Sequence, residues 1–503
     1  MDVQDVEHLI ALLTEVNPQN ELPRRAKIPL EDPFHDRLRN VLDAIASVLI
    51  SQPKGEVIAV GMQSQQNGSE KGIILTLASN TGINNKTLEH ARELISDLKA
   101  LGDDFAEHRK IVEQETQISQ IKSQQSELSR AESPEIDESK FSSHLRQKVH
   151  DFRAKVFLFA LPKIYQRLHK RYQPTRSSRG FAFVNLTNRL DVHSNDSAKI
   201  LWDASRVINW MFYSLPNNSE SFPDHKTHLL IKGLRGLAEL VRQLFQMETW
   251  LSDFSKIPSE IRRFPLEGFL KKMSSISNNT DTLLKYAYSP RLYQKYIINT
   301  NIEVACLENN QRKIQLPSHE QWPFIAEKIL VAQGATSLLS DISKDVEKIP
   351  GFQLQTSFPG NTVQGKIHCE CKLALHLVET SCSGLSALPY IGVSKLSCLA
   401  CWEFLSSLRK IDHIFYVKGS HSKAYFPWKF PEVEMGNARL RQEERDQILN
   451  YLYSSLADTY KRRLEAEEWL RKMSDSTVGS DDGIPYKDLS FDEFDMPRIS
   501  RRR

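Results

Sequence analysis

The chain contains few cysteines and no long apolar run, and both shortages restrict the class of protein. Six cysteines occur among 503 residues, and three of them lie within 369–382, so they do not form an even secretory disulfide framework. No apolar run approaches the roughly 18 residues that a membrane helix needs. The first residues, MDVQDVEHLIALLTEV, are acidic and lack the basic start of a signal peptide. We therefore expect an intracellular protein, cytoplasmic or nuclear, that spans no membrane.

The chain also lacks a strong charge of either sign. Lysine and arginine total 66 against 63 acidic residues, which gives a net charge of +3 and a pI near 8.3. This balance is too weak to indicate nucleic-acid binding by itself. Hydrophobic residues make up 40% and charged residues 26% of the chain, as in ordinary globular proteins, so function must be sought in local motifs.

One local pattern carries chemistry, a His-x-Glu that is followed by a Cys-x-x-Cys. The residues are His368, Glu370, Cys398 and Cys401, and 28 positions separate Glu370 from Cys398. An imidazole and two thiolates supply three ligands for Zn²⁺ and leave the fourth tetrahedral position open for water. Zinc lowers the pKa of such a water from ~15.7 to about 7. This order is typical of nucleobase deaminases, so we predict Zn²⁺ on His368, Cys398 and Cys401, with Glu370 as the catalytic proton shuttle.

The residues around this motif are predicted to form two helices joined by a turn and a short strand. Residues 366–379 show helical spacing of apolar side chains, and residues 390–394 are short, apolar and β-favouring. A second helix is expected to begin near Ser397. His368 and Cys398 then both fall at helix starts, where the positive end of the helix dipole favours thiolate over thiol.

Three segments carry a resemblance to a known family: IHCECKLALHL, PYIGVSKLSCLACWEF and KGSHSKAYFPWKFP. They are similar to the OTT-type deaminase-like family, which is common in fungi and belongs to the cytidine-deaminase-like superfamily. The resemblance covers residues 366–431. It implies an α/β fold with a three-layer α/β/α core, the zinc ligands and proton shuttle named above, and a nucleotide or single-stranded nucleic acid as substrate. Ser397 stands where the wider superfamily usually has proline.

Other interpretations of the motif stay open. Cys371 follows His368 by three residues on the same predicted helix face, so it would complete a Cys₃His structural zinc site with no open position. The chain would then be a zinc-stabilised interaction or nucleic-acid-binding protein without turnover. A deaminase fold that has lost its chemistry is a further possibility. Glu370 favours catalysis, because a closed structural site has no use for a carboxylate two residues after its histidine.

The opening of the deaminase core is predicted far upstream. Residues 34–50 form an amphipathic helix, and two β-rich runs, 56–62 and 72–80, flank a polar turn. A nearer pair of short strands, 302–306 and 313–316, matches the expected order of helix, strand, turn and strand less well. We therefore predict one split catalytic domain with a large α-helical insertion. Its parts are 30–85 (helix and hairpin), 86–350 (insertion), 351–472 (zinc-site part) and 473–503 (disordered tail).

Asn80 ends the second predicted strand, 288 residues before His368. In the superfamily an asparagine at the end of that strand commonly contacts the substrate sugar, so the resemblance implies a substrate-binding role. Alternatively, Asn80 supports a turn together with Gly82, as asparagine often does. We keep both interpretations.

The insertion is predicted to form a helical bundle that caps the active-site mouth or binds a partner. Basic residues that alternate with aromatic ones can bind single strands through phosphate contacts and stacking. A solvated helix face is the commoner arrangement for such residues. The cluster comprises Arg146, Lys148, Arg153, Lys155, Lys163, Arg167, Lys170 and Arg171, with a smaller group at Arg176 and Arg179.

The segment after the second zinc helix is predicted to form a strand, 412–417, and then a loop rich in aromatic residues. We predict that His421 touches a substrate phosphate or sugar and that Tyr425 stacks on the base, whereas Trp428 packs into the core. A final helix, 442–472, is expected to pack on the sheet. Together these features predict hydrolytic deamination, in which Glu370 moves a proton from water to the ring nitrogen and the departing ammonia.

Overall fold

The structure is a computed structural model that describes most of the chain. Residues 121–135 of the predicted insertion and residues 477–503 of the predicted tail lie outside the described residues. The described residues are 2–16, 23–26, 28, 33–52, 55–67, 70–120, 136–172, 177–188, 190, 196–216, 222–248, 250, 264–298, 300–308, 311–318, 320–338, 361–381 and 385–476.

Helices dominate the described residues, and short strands are distributed among them. The helices are α1 (Val3–Glu15), α2 (Pro33–Val48), α3 (Asn85–Gln120), α4 (Ser143–Phe159), α5 (Leu161–His169), α6 (Arg179–Thr187), α7 (Asp196–Ser214), α8 (Thr227–Gln246), α9 (Leu266–Tyr288), α10 (Pro290–Tyr296), α11 (Gln321–Ala332), α12 (Cys369–Ser381), α13 (Leu399–Arg409), α14 (Glu432–Asn437) and α15 (Gln442–Ser476). The strands are β1 (Arg24–Arg25), β2 (Ile58–Asn67), β3 (Glu70–Ser79), β4 (Arg171–Tyr172), β5 (Ser177–Ser178), β6 (Thr300–Cys306), β7 (Gln311–Gln315), β8 (Thr362–Lys366), β9 (Ser386–Ala387), β10 (Gly392–Val393) and β11 (Gly419–Ser420).

The central sheet is built on the hairpin of β2 and β3, in which Ile58 pairs with Ser79 at the open end. β10 and β9 pair antiparallel with the free edge of β2, and β6 pairs parallel with β3, so the strand order is β10–β2–β3–β6. The hairpin therefore forms where the β-rich runs predict it. The strand at 300–306 joins the same sheet beside this hairpin instead of replacing it. β7 pairs with β8 in a second, two-stranded sheet.

Successive side chains of β2 point to opposite faces of the sheet and into two different hydrophobic cores. Ile58 and Val60 face the core that contains α2, whereas Ala59 between them faces the core that contains α12 and α13. A Cβ added to Gly61 would lie 3.0 Å from Leu377 Cδ1, so α12 lies directly against β2. The chain is thus a mixed α/β protein, with helices on both faces of the central sheet.

The insertion is continuous with the core on the α2 side of the sheet. α9 packs along α2, and the apolar faces of α3, α4, α7 and α8 join the same hydrophobic cluster. The described residues of 86–350 are largely helical, but they also supply β6 and β7. This half of the molecule is therefore no separate module in the residues that the structure describes.

The layer that contains α12 and α13 also contains helices from both ends of the chain. α1 is buried along most of its length and packs on α15, where the Glu7 carboxylate accepts the Phe430 N–H at 3.1 Å and pairs with Lys429 at 2.7 Å. The final helix buries Ile448 and Leu452 as expected, but its main neighbours are α1 and α13 instead of the sheet. No helix among the described residues is long and apolar enough to cross a membrane.

A buried carboxylate joins α2 to the strand that precedes the cysteine motif. Asp43 Oδ1 accepts the Val393 N–H at 2.9 Å, and Asp43 Oδ2 accepts the Tyr390 hydroxyl at 2.9 Å. Burial raises the pKa of Asp43 from 3.8 to about 6, and the Lys418 charge opposes this rise only in part. Two segments that are about 350 residues apart in sequence are thereby fixed to each other.

The raised pKa of Asp43 predicts that the stability of the protein depends on pH. Because the folded pKa exceeds the unfolded one, the contribution of Asp43 is largest below pH 3.8 and falls as the pH rises to about 6. The loss is on the order of 3 kcal/mol. Asp43→Asn removes the ionisation; its amide oxygen can accept the Val393 N–H and its NH₂ can donate to the Tyr390 hydroxyl oxygen. Its unfolding free energy should therefore fall less over this window in denaturant titrations. Identical pH slopes in the wild type and the variant would show that Asp43 ionises normally.

Candidate functional site

The structure brings His368, Cys398 and Cys401 together. His368 Nδ1 lies 3.4 Å from the sulfur of Cys398 and 3.4 Å from the sulfur of Cys401. The three possible ligand atoms lie within 4.8 Å of one another, and both cysteines are buried. This cluster contains one nitrogen and two sulfur donors.

The spacing of these donors fits a tetrahedral zinc ion. With Zn–N near 2.0 Å and Zn–S near 2.3 Å, a tetrahedral ion holds nitrogen and sulfur about 3.5 Å apart. The two observed separations of 3.4 Å are close to this value. The donor set is the one that Zn²⁺ prefers, and the three side chains leave room in the coordination for one more ligand.

Two helix starts position the donors. His368 immediately precedes α12, and Cys398 caps the N-terminus of α13, where its sulfur accepts the Cys401 N–H at 3.4 Å. Both helices were predicted, and the Cys-x-x-Cys spacing places the second sulfur one turn into α13. The positive helix ends therefore point toward the cysteine sulfurs, as the sequence indicated.

Burial makes the thiols poor acids in the absence of a cation. Burial raises the pKa of Cys398 and of Cys401 well above the usual value for a thiol, although His368 lowers that of Cys398 in part. For His368, burial lowers the pKa, but Cys398 and Glu370 outweigh it and leave the pKa raised. A divalent cation offsets the cost of two buried thiolates, so these surroundings suit a metal site.

Glu370 is buried beside the donor cluster. Its Oε2 lies 3.7 Å from the sulfur of Cys401 and 3.4 Å from the sulfur of Cys369, and the residue is 3% exposed. The carboxylate is not a member of the group of possible ligands. It therefore borders the donors without belonging to them, and its role as a proton shuttle stays a prediction.

Cys371, the fourth ligand of the alternative closed site, is buried but does not belong to the donor group among the described residues. Its thiol makes a hydrogen bond with Cys401 instead. Burial raises the pKa of all three thiols, so position and not acidity separates Cys371 from the donors.

Replacement of Cys371 separates the open site from the closed one. Because its sulfur lies outside the donor group, Cys371→Ala should retain one zinc per chain in elemental analysis. Cys401→Ala, which removes a donor of similar size and burial, should lose the metal. A Cys371→Ala protein that also lost its zinc would identify a closed structural site.

Asn80 reaches the zinc motif from the end of β3. Its Oδ1 accepts the N–H of Cys369 at 2.7 Å, between His368 and Glu370 in sequence. Asn80 also lies in a turn next to Gly82, which has a φ of +87°. Asn80 therefore supports a turn and also links the two predicted halves of the core through its bond to Cys369. A contact of Asn80 with a substrate sugar stays a prediction.

The aromatic loop comprises residues 419–428, and its His421 lies close enough to His368 and Glu370 to interact with them electrostatically. Burial lowers the pKa of His421 to about 4, whereas the nearby Glu370 carboxylate opposes this change. His421 Nδ1 accepts the Lys423 N–H at 3.1 Å, so the proton of the neutral ring is on Nε2. A neutral His421 can donate a hydrogen bond but carries no charge for a phosphate.

Two further aromatic residues of this loop, Tyr425 and Trp428, differ in exposure. Tyr425 is 36% exposed and packs edge-on against His421 with ring centroids 5.3 Å apart, so part of its side chain reaches the surface beside His421. Trp428 is fully buried, as the sequence analysis expects. The predicted strand at 412–417 is reduced to a single bridge between Tyr416 and Tyr390.

Ser397, the residue before the first cysteine, makes two backbone hydrogen bonds to the aromatic loop. Its N–H donates to the Gly419 carbonyl at 3.0 Å, and its carbonyl accepts the His421 N–H at 3.2 Å. Proline has no N–H and would lose the first of these bonds. The residue before the first cysteine therefore joins the aromatic loop to the metal site, a role that no local signal in the sequence indicates.

Four of the nine described basic residues in the predicted cluster form hydrogen bonds or ion pairs that hold parts of the insertion together. Lys148 pairs with Asp104 at 2.6 Å, and Lys155 pairs with Asp97 at 2.6 Å. Arg153 is buried and pairs with two carboxylates of the insertion, and Arg167 bonds Ser275 Oγ at 3.1 Å. Arg176 lies outside the described residues. These four cations therefore hold helices together and do not form an open face for a nucleic acid.

Comparison with protein families identifies the segment that holds the motif. Residues 367–432 match the family of OTT_1508-like deaminases. The match includes the zinc motif, Glu370 and the aromatic loop, and confirms a deaminase-type segment where the sequence shows its resemblance. No curated protein and no solved structure matches the chain. The family match and the donor cluster together indicate a deaminase.

Proposed function

We propose that the protein is a zinc-dependent hydrolase that deaminates a nucleobase carried by a nucleotide or by a nucleic acid. The observation that carries this proposal is the position of Glu370, a buried carboxylate 3.7 Å from Cys401 in a cluster of one nitrogen and two sulfur donors. A structural zinc site needs no such carboxylate. The match of residues 367–432 to a deaminase family supports the same reaction.

The proposed reaction adds water across a carbon–nitrogen bond. Water forms a bond to the amino-bearing ring carbon, the exocyclic C–N bond breaks, and ammonia leaves while a carbonyl remains on the ring. Zinc, held by His368, Cys398 and Cys401, supplies a water of low pKa. Glu370 would carry the first proton of the water to the ring nitrogen and then carry the second, from the newly formed hydroxyl, to the leaving amine.

The proposed catalytic domain is split along the chain. The contacts of Asn80 with Cys369 and of Asp43 with Val393 support a core made of residues 30–85 and 351–472 in a cytidine-deaminase-like arrangement. β6 shows that part of the interval 86–350 also belongs to the sheet. Within this core we propose that Asn80, His421 and Tyr425 line the substrate site.

Removal of zinc tests the proposal. The purified protein should contain one zinc per chain and release ammonia from at least one base-bearing substrate among nucleosides, nucleotides and single-stranded oligonucleotides. A strong chelator should abolish ammonia release, and added Zn²⁺ should restore it, because the cation makes water reactive at neutral pH. The readout is coupled ammonia detection together with elemental analysis.

The outcomes separate catalysis from a structural role. A protein that binds zinc but releases no ammonia from any of these substrates would be a zinc-stabilised interaction or nucleic-acid-binding protein. Ammonia release that continues after complete zinc removal would overturn the proposed mechanism while leaving a deaminase.

A further inference from the structure

A polar cavity of about 430 Å³ lies between the two-stranded sheet of β7 and β8 and the start of α14. Its lining comprises Arg312, Lys313, Lys429, Phe430, Glu432 and Val433. Cavities that hold small organic ligands have volumes of roughly 300–1,000 Å³. This cavity is therefore large enough for a group of the size of a nucleotide, and three cations line it.

A glycine brings two of these cations onto one face of the small sheet. Arg312 of β7 lies directly opposite Gly365 of β8, and residues paired in this way point to the same face. A Cβ added to Gly365 would lie 2.9 Å from the Cβ of Lys429, so Lys429 packs over that face. Position 365 therefore places no side chain between Arg312 and Lys429.

These cations hold donors that the protein does not use. The Nε of Arg312 is buried without a hydrogen-bond partner, and its guanidinium makes no ion pair with the residues that the structure describes. Lys313 is exposed and is likewise unpaired within the described part of the chain. Lys429 pairs with Glu7 at 2.7 Å, which engages one of the three N–H groups of its ammonium. A ligand that supplies acceptor atoms would therefore satisfy donors that are at present unpaired.

The chemistry of the lining favours a phosphate group that is part of a nucleotide. Phosphate oxygens can accept two parallel bonds from a planar guanidinium, and ammonium groups bind the same oxygens as point charges. Glu432 also lines the cavity and makes no ion pair with the residues that the structure describes. Its carboxylate repels a bare anion but accepts a hydrogen bond from a ribose hydroxyl or a base amino group. A nucleotide carries both kinds of group.

We propose that Arg312, Lys313 and Lys429 bind a phosphate group of a nucleotide, either free or within a nucleic acid strand. This second site does not depend on the proposed deamination. The Lys429 N–H donates to the Lys366 carbonyl at 2.9 Å, and Lys366 precedes His368 by two residues. The Cα atoms of Lys429 and His368 are therefore at most about 13 Å apart, so a strand held in the cavity is close enough to reach the donor cluster.

Four single variants test the site. Arg312→Gln and Lys313→Gln each remove a cation whose side chain pairs with no described residue, so the fold should be retained. Arg312→Lys keeps the charge but loses the planar pair of donors. Arg92→Gln is the matched control, because it removes an exposed and unpaired arginine of α3 from the described part of the chain. Lys429 is left unchanged, since its loss would leave the buried Glu7 carboxylate without its cation.

The expected result is a loss of affinity that depends on phosphate. The probes are inorganic phosphate, cytidine, cytidine 5′-monophosphate, an unphosphorylated single-stranded oligonucleotide and polyglutamate, and calorimetry measures their binding. Arg312→Gln and Lys313→Gln should each weaken the binding of inorganic phosphate about tenfold, and Arg312→Lys should weaken it less. Cytidine binding, zinc content and thermal stability should stay unchanged in all of these variants. Arg92→Gln should match the wild type throughout.

Oligonucleotide titrations at several salt concentrations identify the source of the phosphate. If a strand occupies the cavity, Arg312→Gln removes one phosphate contact, and the slope of log affinity against log salt should become shallower by about 0.7. An unchanged slope together with weakened binding of the monophosphate would identify a free nucleotide. Both results support the site.

Three results would overturn this inference. One is a wild type that binds neither inorganic phosphate nor the phosphate-bearing probes, and another is an Arg312→Gln protein that binds them as tightly as Arg92→Gln does. The third is a loss confined to polyglutamate, which would assign the cavity to an acidic peptide. None of these measurements requires ammonia release, so the proposed deaminase function is tested separately.

Discussion

Replacement of Glu370 with glutamine is expected to reduce ammonia release about 10²- to 10⁴-fold while zinc content and thermal stability stay near those of the wild type. Glutamine occupies the same buried volume beside Cys401 but cannot accept and return the proton of the attacking water. The measurement is the rate of ammonia release at saturating substrate, with zinc determined on the same preparation.

A matched variant isolates the role of this carboxylate. Glu379→Gln removes one negative charge from the same helix, α12, at a half-buried position nine residues further on. It should leave the rate of ammonia release unchanged. If Glu370→Gln retained full activity, Glu370 would not be the proton shuttle, and another group would have to be sought near the donors.

Replacement of Gly392 with alanine is expected to destabilise the protein by at least about 3 kcal/mol. A Cβ at this position would lie 2.4 Å from the backbone carbonyl carbon of Leu42 and 2.5 Å from its Cβ, and backbone atoms of a helix cannot move aside cheaply. Because Gly392 lies in β10 and Leu42 in α2, this clash would separate the two predicted parts of the split core. Unfolding by denaturant measures the loss.

Gly72→Ala provides the comparison for this variant within the same sheet. Its added Cβ would lie 3.8 Å from the Cβ of Gln65, an ordinary contact, so the free energy of unfolding should change by less than about 1 kcal/mol. Equal stability of the two variants would show that α2 does not lie against β10. The split core would then lose one of the contacts that support it.

Several parts of this structure could be predicted from local sequence. The His-x-Glu and Cys-x-x-Cys patterns indicate a donor set whose chemistry is independent of the remaining fold, and the structure brings His368, Cys398 and Cys401 together. The amphipathic pattern of α2 and the β-rich runs of β2 and β3 are likewise local, because side-chain period and turn residues decide them. These signals were sufficient to predict a hairpin whose last residue, Asn80, lies 288 residues before His368.

Non-local contacts could not be predicted in the same way. The parallel pairing of β6 with β3 depends on where the intervening helices place residues 300–306. Asp43 appears in the sequence as an ordinary acidic residue of an amphipathic helix, although it bonds the Val393 N–H in the interior. The basic residues around Arg153 resemble a nucleic-acid surface until the carboxylates of distant segments are placed beside them.

The structure changes the expectation for Asn80 most clearly. Its carboxamide oxygen already accepts the Cys369 N–H, so a contact with a substrate would have to use the amide NH₂ or a second acceptor position of that oxygen. The sequence indicated that Asn80 ends a strand near the site. Its bond to the Cys369 N–H depends on the position of the start of α12, which lies far away in sequence.

X-ray absorption at the zinc edge tests the open metal site most directly. We predict one zinc per chain with two sulfur neighbours near 2.3 Å and two nitrogen or oxygen neighbours near 2.0 Å, which are His368 and a solvent molecule. A spectrum with three sulfur neighbours would place Cys371 in the coordination sphere and close the site. That result, or a protein that binds no zinc, would contradict the account.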